Sequence, residues 1–124
     1  MNKKELKKIE DKIKLHKHNK CKLSIIEFEI EDIQDEIDSF GADEKLNKEL
    51  IRLNKFKREL SRELNRIDAA LATLSDLHKE LVELRYFDKK TWEAVGASLN
   101  LDYQHICNYT KYDMLENIAQ CISI

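Results

Sequence analysis

The sequence predicts an all-α protein with two parts, an N-terminal antiparallel helical hairpin over residues 1–74 and a smaller helical domain over residues 75–124. Three observations support this prediction. The chain has no proline and only two glycines, while charged residues make up 37%, a composition typical of long helices. Two apolar stripes with helical spacing flank Gly41, and residues 90–113 read as two short helices around a tight turn.

The first apolar stripe occupies residues 3–39 and predicts one helix or two collinear helices. Its spacing alternates between three and four residues but is weakened by polar residues at His16 and Lys20, and the step at Leu23 is out of phase. We therefore expect residues 23–40 to be firmly packed. Residues 3–20 are expected to form a looser, basic extension.

The second stripe follows a break at residues 40–43, where Asp43 is suited to cap a new helix. Its spacing is heptad-like, with Lys57 in one apolar slot, as in a coiled coil: Leu46, Leu50, Leu53, Leu60, Leu64, Ile67, Leu71 and Leu74. Residues 27–44 carry nine acidic and no basic side chains, whereas residues 45–66 carry eight basic and three acidic ones. Opposite charges would meet if the two helices ran antiparallel, although individual charges are equally well explained as a solvated face.

The C-terminal domain is expected to begin with a helix over residues 77–87, capped by Ser75 or Asp76. Thr91 can cap a helix ending at Leu99, Asn100 suits a left-handed backbone conformation, and Asp102 can cap the next helix. Gly96 stands where a side chain would push that next helix away. The apolar or small residues expected between the two helices are Val95, Gly96, Leu99, Leu101, Ile106 and Tyr109.

This spacing is typical of a helix-turn-helix, whose second helix lies in the DNA major groove, although any small helical domain can contain two helices and a turn. The run ELVELRYFDKKTWEAVGASLNL, residues 80–101, resembles region 4 of sigma factors. It is more closely similar to phage transcriptional regulators of the ArpU/RinA type, over about residues 74–118. The resemblance implies a sequence-specific regulator, encoded by a phage or prophage, that binds double-stranded DNA; it leaves contact with RNA polymerase open.

Eight residues are expected to contact DNA: Lys89, Lys90, Thr91, Tyr103, Gln104, Cys107, Asn108 and Lys111. Gln and Asn can pair with an adenine edge, so Gln104 and Asn108 are candidates for base reading. Tyr103 suits a phosphate or a thymine methyl group, and the lysines and Thr91 suit phosphates. His105 fits either the rim of the DNA-facing surface or the core of the domain. The net charge of −3 over residues 75–124 counts against strong binding by this domain alone.

Several other classes of function are disfavoured by the sequence. No catalytic constellation is apparent, so we expect no enzyme and no cofactor. His16 and His18 face different sides of a helix, which disfavours a metal site. Three widely spaced cysteines and the lack of an apolar run long enough to span a membrane indicate a cytoplasmic protein with free thiols. Cys121 is expected to be a small core residue.

The partner expected besides DNA is a second copy of the chain, in a homodimer, because the hairpin and residues 114–122 carry surplus apolar surface. The alternative function is an assembly or interaction protein, such as a phage terminase small subunit or an anti-regulator. A dimer favours the regulator, and a ring of many subunits favours packaging.

Overall fold

The computed structural model describes residues 2–122, and within that range the chain is all-helical, as predicted, with no strand. The helices are α1 (Lys3–Lys14), α2 (His16–Phe40), α3 (Glu44–Ala72), α4 (Asp76–Val82), α5 (Trp92–Leu99), α6 (Tyr103–His105) and α7 (Lys111–Ile122). Two π-helical turns continue α4 and α6, over Glu83–Phe87 and Ile106–Thr110.

The chain forms two compact units. One comprises Lys17–Asn65, and the other combines the residues up to His16 with those from Arg66 onward. The boundary predicted from the sequence, between residues 74 and 75, does not coincide with either of these divisions. The end of α3 and the whole of α1 belong with the C-terminal helices.

The unit of residues 17–65 contains most of α2 and α3. The break predicted at Gly41 is present: Gly41 has a φ of 89°, and the Asp43 side chain accepts a hydrogen bond from the Leu46 backbone N–H at 2.7 Å, as expected for a cap. Ile26 and Leu53 are buried, and the ammonium of Lys22 lies 5.1 Å from the centre of the Phe56 ring. The apolar stripes of α2 and α3 are therefore the less exposed sides of these helices.

The other unit has a core to which α1 contributes directly. Leu6, Ile9 and Ile13 are buried in one cluster with residues of α4, α5 and α7. The expectation that residues 3–20 form a loose extension is therefore wrong for α1. The helix ends at Lys14, so its short apolar face can pack on the C-terminal helices rather than continue the stripe of α2.

The predicted caps of the C-terminal helices are confirmed. Ser75 accepts from the His78 N–H, Thr91 from the Ala94 N–H and Asp102 from the Gln104 N–H, at 3.1 to 3.3 Å. Asn100 has a φ of 56°, in the left-handed region. Apolar residues recur at helical spacing after Ile106. Four of them are buried within this unit: Met114, Leu115, Ile118 and Ala119.

Three expectations about packing are wrong. Tyr109 and Leu101 are 62% and 45% exposed, although both were expected between the helices. The π-turn over Ile106–Thr110 widens the helix there and shifts the buried side from Tyr109 towards Lys111. Cys121 is exposed rather than part of the core, with its sulfur 3.7 Å from the Thr73 hydroxyl oxygen.

Candidate nucleic-acid interface

The turn between α5 and α6 brings two helices unusually close together. A Cβ atom on Gly96 would lie 2.8 Å from the Leu101 carbonyl oxygen and 2.9 Å from the Tyr103 Cβ. The Leu101 N–H donates to the Gly96 carbonyl at 2.9 Å, which closes the end of α5 behind Asn100. The predicted role of Gly96, to allow this close approach, is confirmed.

The first two turns after Asp102 present polar side chains to solvent. Gln104 and Asn108 are exposed, and Tyr103 is 38% exposed. His105 is also exposed and packs on Tyr109, with 5.1 Å between ring centres, so it belongs to the rim of this surface. Cys107 is half-buried, and burial raises the pKa of its thiol, an effect that Lys111 and Arg85 partly offset. Its side chain is therefore less available to DNA than those of Gln104 and Asn108.

Lys111 is turned inward, contrary to its expected place on the DNA-facing surface. Its side chain is only 18% exposed, and its ammonium lies 3.6 Å from a carboxylate oxygen of Glu10. The same ammonium lies 4.9 Å from the Tyr112 ring centre and 5.7 Å from that of Trp92. The single basic side chain of this helical run is thus occupied within the unit, because the π-turn rotates it towards α1.

The partner of Lys111, Glu10, is the centre of a buried polar network that joins α1 to the C-terminal helices. The Tyr86 hydroxyl donates to Glu10 at 2.7 Å, and the ammoniums of Lys7 and Lys14 lie 3.6 and 4.0 Å from the carboxylate. Burial raises the pKa of Glu10, but the hydrogen bond from Tyr86 and the three lysines outweigh it, so the pKa is lowered overall. Burial and the bond to Glu10 raise the pKa of Tyr86.

Sequence reasoning missed this network, because Glu10 is 76 residues from Tyr86 and looks like one more charge on a basic helix. The one local sign is that Glu10 directly follows Ile9, on the apolar side of α1. His16 was placed by the sequence in the first apolar stripe, as a polar member that weakens it, and its burial and its partners were not predicted. It is 2% exposed, lies 2.7 Å from the Asp68 carboxylate and stacks on Phe87.

The turn before α5 carries the other predicted DNA contacts. Lys89 has a φ of 58°, and the Lys90 N–H donates to the Leu84 carbonyl at 3.0 Å. Both lysine side chains are exposed. Arg85 fixes the turn from the other side, since its guanidinium donates to the Lys90 carbonyl at 2.9 Å and lies 4.6 Å from the Trp92 ring centre. The Thr91 hydroxyl is already used in capping α5.

A cleft of about 370 Å³ lies between this turn and the end of α1, lined by Lys14, Leu15, Arg85, Tyr86 and Lys89. Three of these five residues are cationic, a composition suited to a phosphate group. Lys14 and Arg85 were not expected at the site. No local pattern predicts them, because the cleft exists only when α1 is packed against the C-terminal helices.

Two further features bear on function. Among residues 2–122, no cluster of three or more His, Cys, Asp or Glu side chains is arranged to hold a metal ion. None of the helices in that range is both long enough and apolar enough to cross a membrane.

Comparison with known proteins adds a family. No curated protein and no solved structure matches the chain significantly. One family model does match, over residues 1–120, and it covers both compact units. The chain therefore belongs to the family described as "Protein of unknown function (DUF722)".

Proposed function

We propose that this protein is a sequence-specific DNA-binding protein, in which α5, its turn and the helical run from Tyr103 act as a helix-turn-helix. The observation that carries the proposal is the approach at Gly96, where the next helix passes too close for a Cβ atom while its first two turns stay exposed. A helix held firmly on one side and polar on the other is what insertion into a major groove requires.

Base reading is assigned to Gln104 and Asn108. They are four residues apart, so they lie on the same side of the helix, and both are exposed. Each side chain offers a donor and an acceptor, the combination that an adenine edge requires. Tyr103 lies next to them at the start of the run and suits a phosphate or a thymine methyl group.

Phosphate binding is assigned to the turn before α5 and to the cationic cleft beside it. Lys111 cannot fill this role without leaving Glu10, whereas Lys89 and Lys90 are exposed. Lys14 and Arg85 add positive charge in the cleft. Lys14 also contacts Glu10, but at 4.0 Å and with a side chain that is 43% exposed, so it is less enclosed than Lys111. Three of these four cations are already counted in the net charge of −3 over residues 75–124, and only Lys14 adds a charge from outside that segment. Phosphate binding is favoured because the four cations are concentrated at this turn and its cleft.

The class of regulator, its oligomeric state and its further partner are proposed from the sequence. We propose a regulator of the phage or prophage type, acting as a homodimer, with RNA polymerase as an additional candidate partner. Residues 23–74 would form an antiparallel helical hairpin. The contact between Lys22 and Phe56 and the burial of Ile26 and Leu53 support this arrangement.

Capture of genomic DNA fragments at low salt tests the proposal directly. We expect a subset of fragments to be enriched, and their binding to weaken steeply as salt is raised. Failure to retain any fragment above a protein-free control would contradict DNA binding and favour the assembly protein.

The cleft is tested on an enriched fragment with the double variant Lys14→Gln/Lys89→Asn, in which Asn tolerates the left-handed backbone of position 89. If both lysines contact phosphates, the slope of log affinity against log salt should fall by about 2. Lys79→Gln, which removes one charge from α4 outside the site, is the control. Equal slopes for the double variant and the native protein would rule out the cleft as a phosphate site.

A further inference from the structure

The unit of residues 17–65 leaves large apolar side chains exposed on two sides. On α2, Ile25 and Phe28 are 57% and 64% exposed. On α3, Ile51 is 69% exposed. Burying such side chains against another molecule is favourable because it removes apolar surface from water, so these positions are candidates for an intermolecular contact.

The two sets of exposed side chains point away from the buried stripes of their helices. Phe28 is two residues from the buried Ile26, and Ile51 is two residues from the buried Leu53. Two residues correspond to about 200° around an α-helix, which is nearly the opposite side. We name the outer side of α2 (Ile25, Phe28, Asp32 and Asp35) the acidic face, and the outer side of α3 (Ile51, Lys55, Arg58 and Arg62) the basic face.

The two faces complement each other in both composition and spacing. Each continues from its apolar residues into charged ones at intervals of three or four, so each forms one stripe along its helix. All the charged members are exposed, and none forms an ion pair with another described residue within 4.0 Å. Like charges would repel if two copies of one face met, whereas an acidic face against a basic face joins opposite charges and buries the apolar residues.

We propose that copies of this chain associate through these faces, with the acidic face of one copy packed on the basic face of the next. The occupant of each face is thus a second copy of the chain. Because the interface joins two different surfaces, it is heterologous, and such contacts close into rings or continue as filaments. A single pair of copies would leave one face of each kind uncovered, so the assembly extends beyond the homodimer of the proposed function. An assembly of this kind favours the alternative function, that of an assembly protein.

Complementation between two blocked variants tests this geometry. Phe28→Asp blocks the acidic face and Ile51→Asp blocks the basic face. Light scattering should give masses above twice 14.7 kDa for the native chain and about 14.7 kDa for each variant alone. A mixture of the two variants retains one intact interface and should form a 1:1 pair of twice that mass.

Phe40→Asp is the matched control, because it changes an apolar residue that is 86% exposed but lies outside both faces. It should leave assembly intact. Helix content by circular dichroism checks folding, and the charge reversals Asp35→Lys and Arg58→Glu repeat the complementation without altering apolar residues.

Four results would overturn the proposal. These are a native chain that is only monomeric or dimeric at high protein concentration, assembly by either blocked variant alone, a loss of assembly in Phe40→Asp as large as in the blocked variants, and a mixture of the blocked variants that stays monomeric. Retained assembly in Ile51→Asp with complete loss in Phe28→Asp would indicate a symmetric contact between acidic faces instead.

Discussion

Glu10 shows how a single residue can be decisive without being visible in a sequence pattern. It looks like a surface charge on a basic helix, yet it is 7% exposed and bonded to Tyr86 and Lys111. Removing one partner of such a buried network leaves the others unpaired, which costs more than losing an exposed ion pair. The ion pair with Glu10 also holds Lys111 away from the DNA-facing surface on which the sequence predicted it.

The charge on Glu10 should make stability depend on pH. The pKa of Glu10 in the folded protein is below its ordinary value of 4.5. The ionised carboxylate therefore stabilises the fold fully at pH values above 4.5, and this stabilisation is lost as the pH falls through the pKa of the folded state. Glu10→Gln should lower the free energy of unfolding by about 1–3 kcal/mol at pH 7. The difference from the native protein should shrink as the pH falls below the ordinary value.

Urea unfolding monitored by Trp92 fluorescence at several pH values measures this difference. Glu5→Gln, an exposed change on the same helix, is the control and should have little effect. A Glu10→Gln deficit that is constant down to acidic pH would show that the charge is not responsible.

At the scale of elements, the sequence predicted what local contacts determine. Each cap joins residues two or three positions apart, and the residue types involved are those that caps favour, so Thr91, Asn100 and Asp102 were placed correctly. The π-turns were not predicted, because a widened turn depends on what the helix packs against. The misplacement of Tyr109 and Lys111 follows from the π-turn at Ile106–Thr110.

The close approach of α5 to the following helix gives a prediction at this scale. Gly96→Ala should improve the intrinsic helix propensity of α5 by up to about 1 kcal/mol. The new methyl group, however, meets the backbone at Leu101 and the Cβ of Tyr103, neither of which is the flexible end of a side chain. We expect net destabilisation of about 1–3 kcal/mol in thermal or urea unfolding.

Ser98→Ala, an exposed change on the same helix, is the control for Gly96→Ala and should be nearly neutral. Gly96→Ala should also weaken DNA binding, since it displaces Tyr103 and Gln104. A variant as stable as the native protein would mean that the two helices are not in firm contact at this point.

At the scale of the whole molecule, the all-helical class followed from composition, but the grouping of the helices did not. Heptad spacing identifies which side of a helix is apolar but not which distant helix covers it. The apolar residues of α1 were therefore assigned to an extension, whereas they complete the core formed by α4, α5 and α7. The cationic cleft was missed for the same reason, because Lys14 reaches it only through the packing of α1.

The contribution of α1 to this core can be measured by substitution. Ile13 is 1% exposed, so Ile13→Ala should lower the free energy of unfolding by about 2–5 kcal/mol. Leu15→Ala, two residues away at a position that is 52% exposed, is the matched control and should cost little. Trp92 fluorescence reports on the unit that contains both positions. Similar small effects for the two variants would contradict a contribution of α1 to the core and would indicate a loosely packed extension.

Base reading by Asn108 tests the proposed function most directly. The measurement is the affinity of the native chain, Asn108→Ala and the control Asn117→Ala, an exposed residue of α7, for an enriched genomic duplex and a random duplex. We predict that Asn108→Ala loses about 1–3 kcal/mol on the enriched duplex and little on the random one, while Asn117→Ala changes neither. Equal losses on both duplexes, or no loss on either, would contradict the assignment of this helix to the major groove.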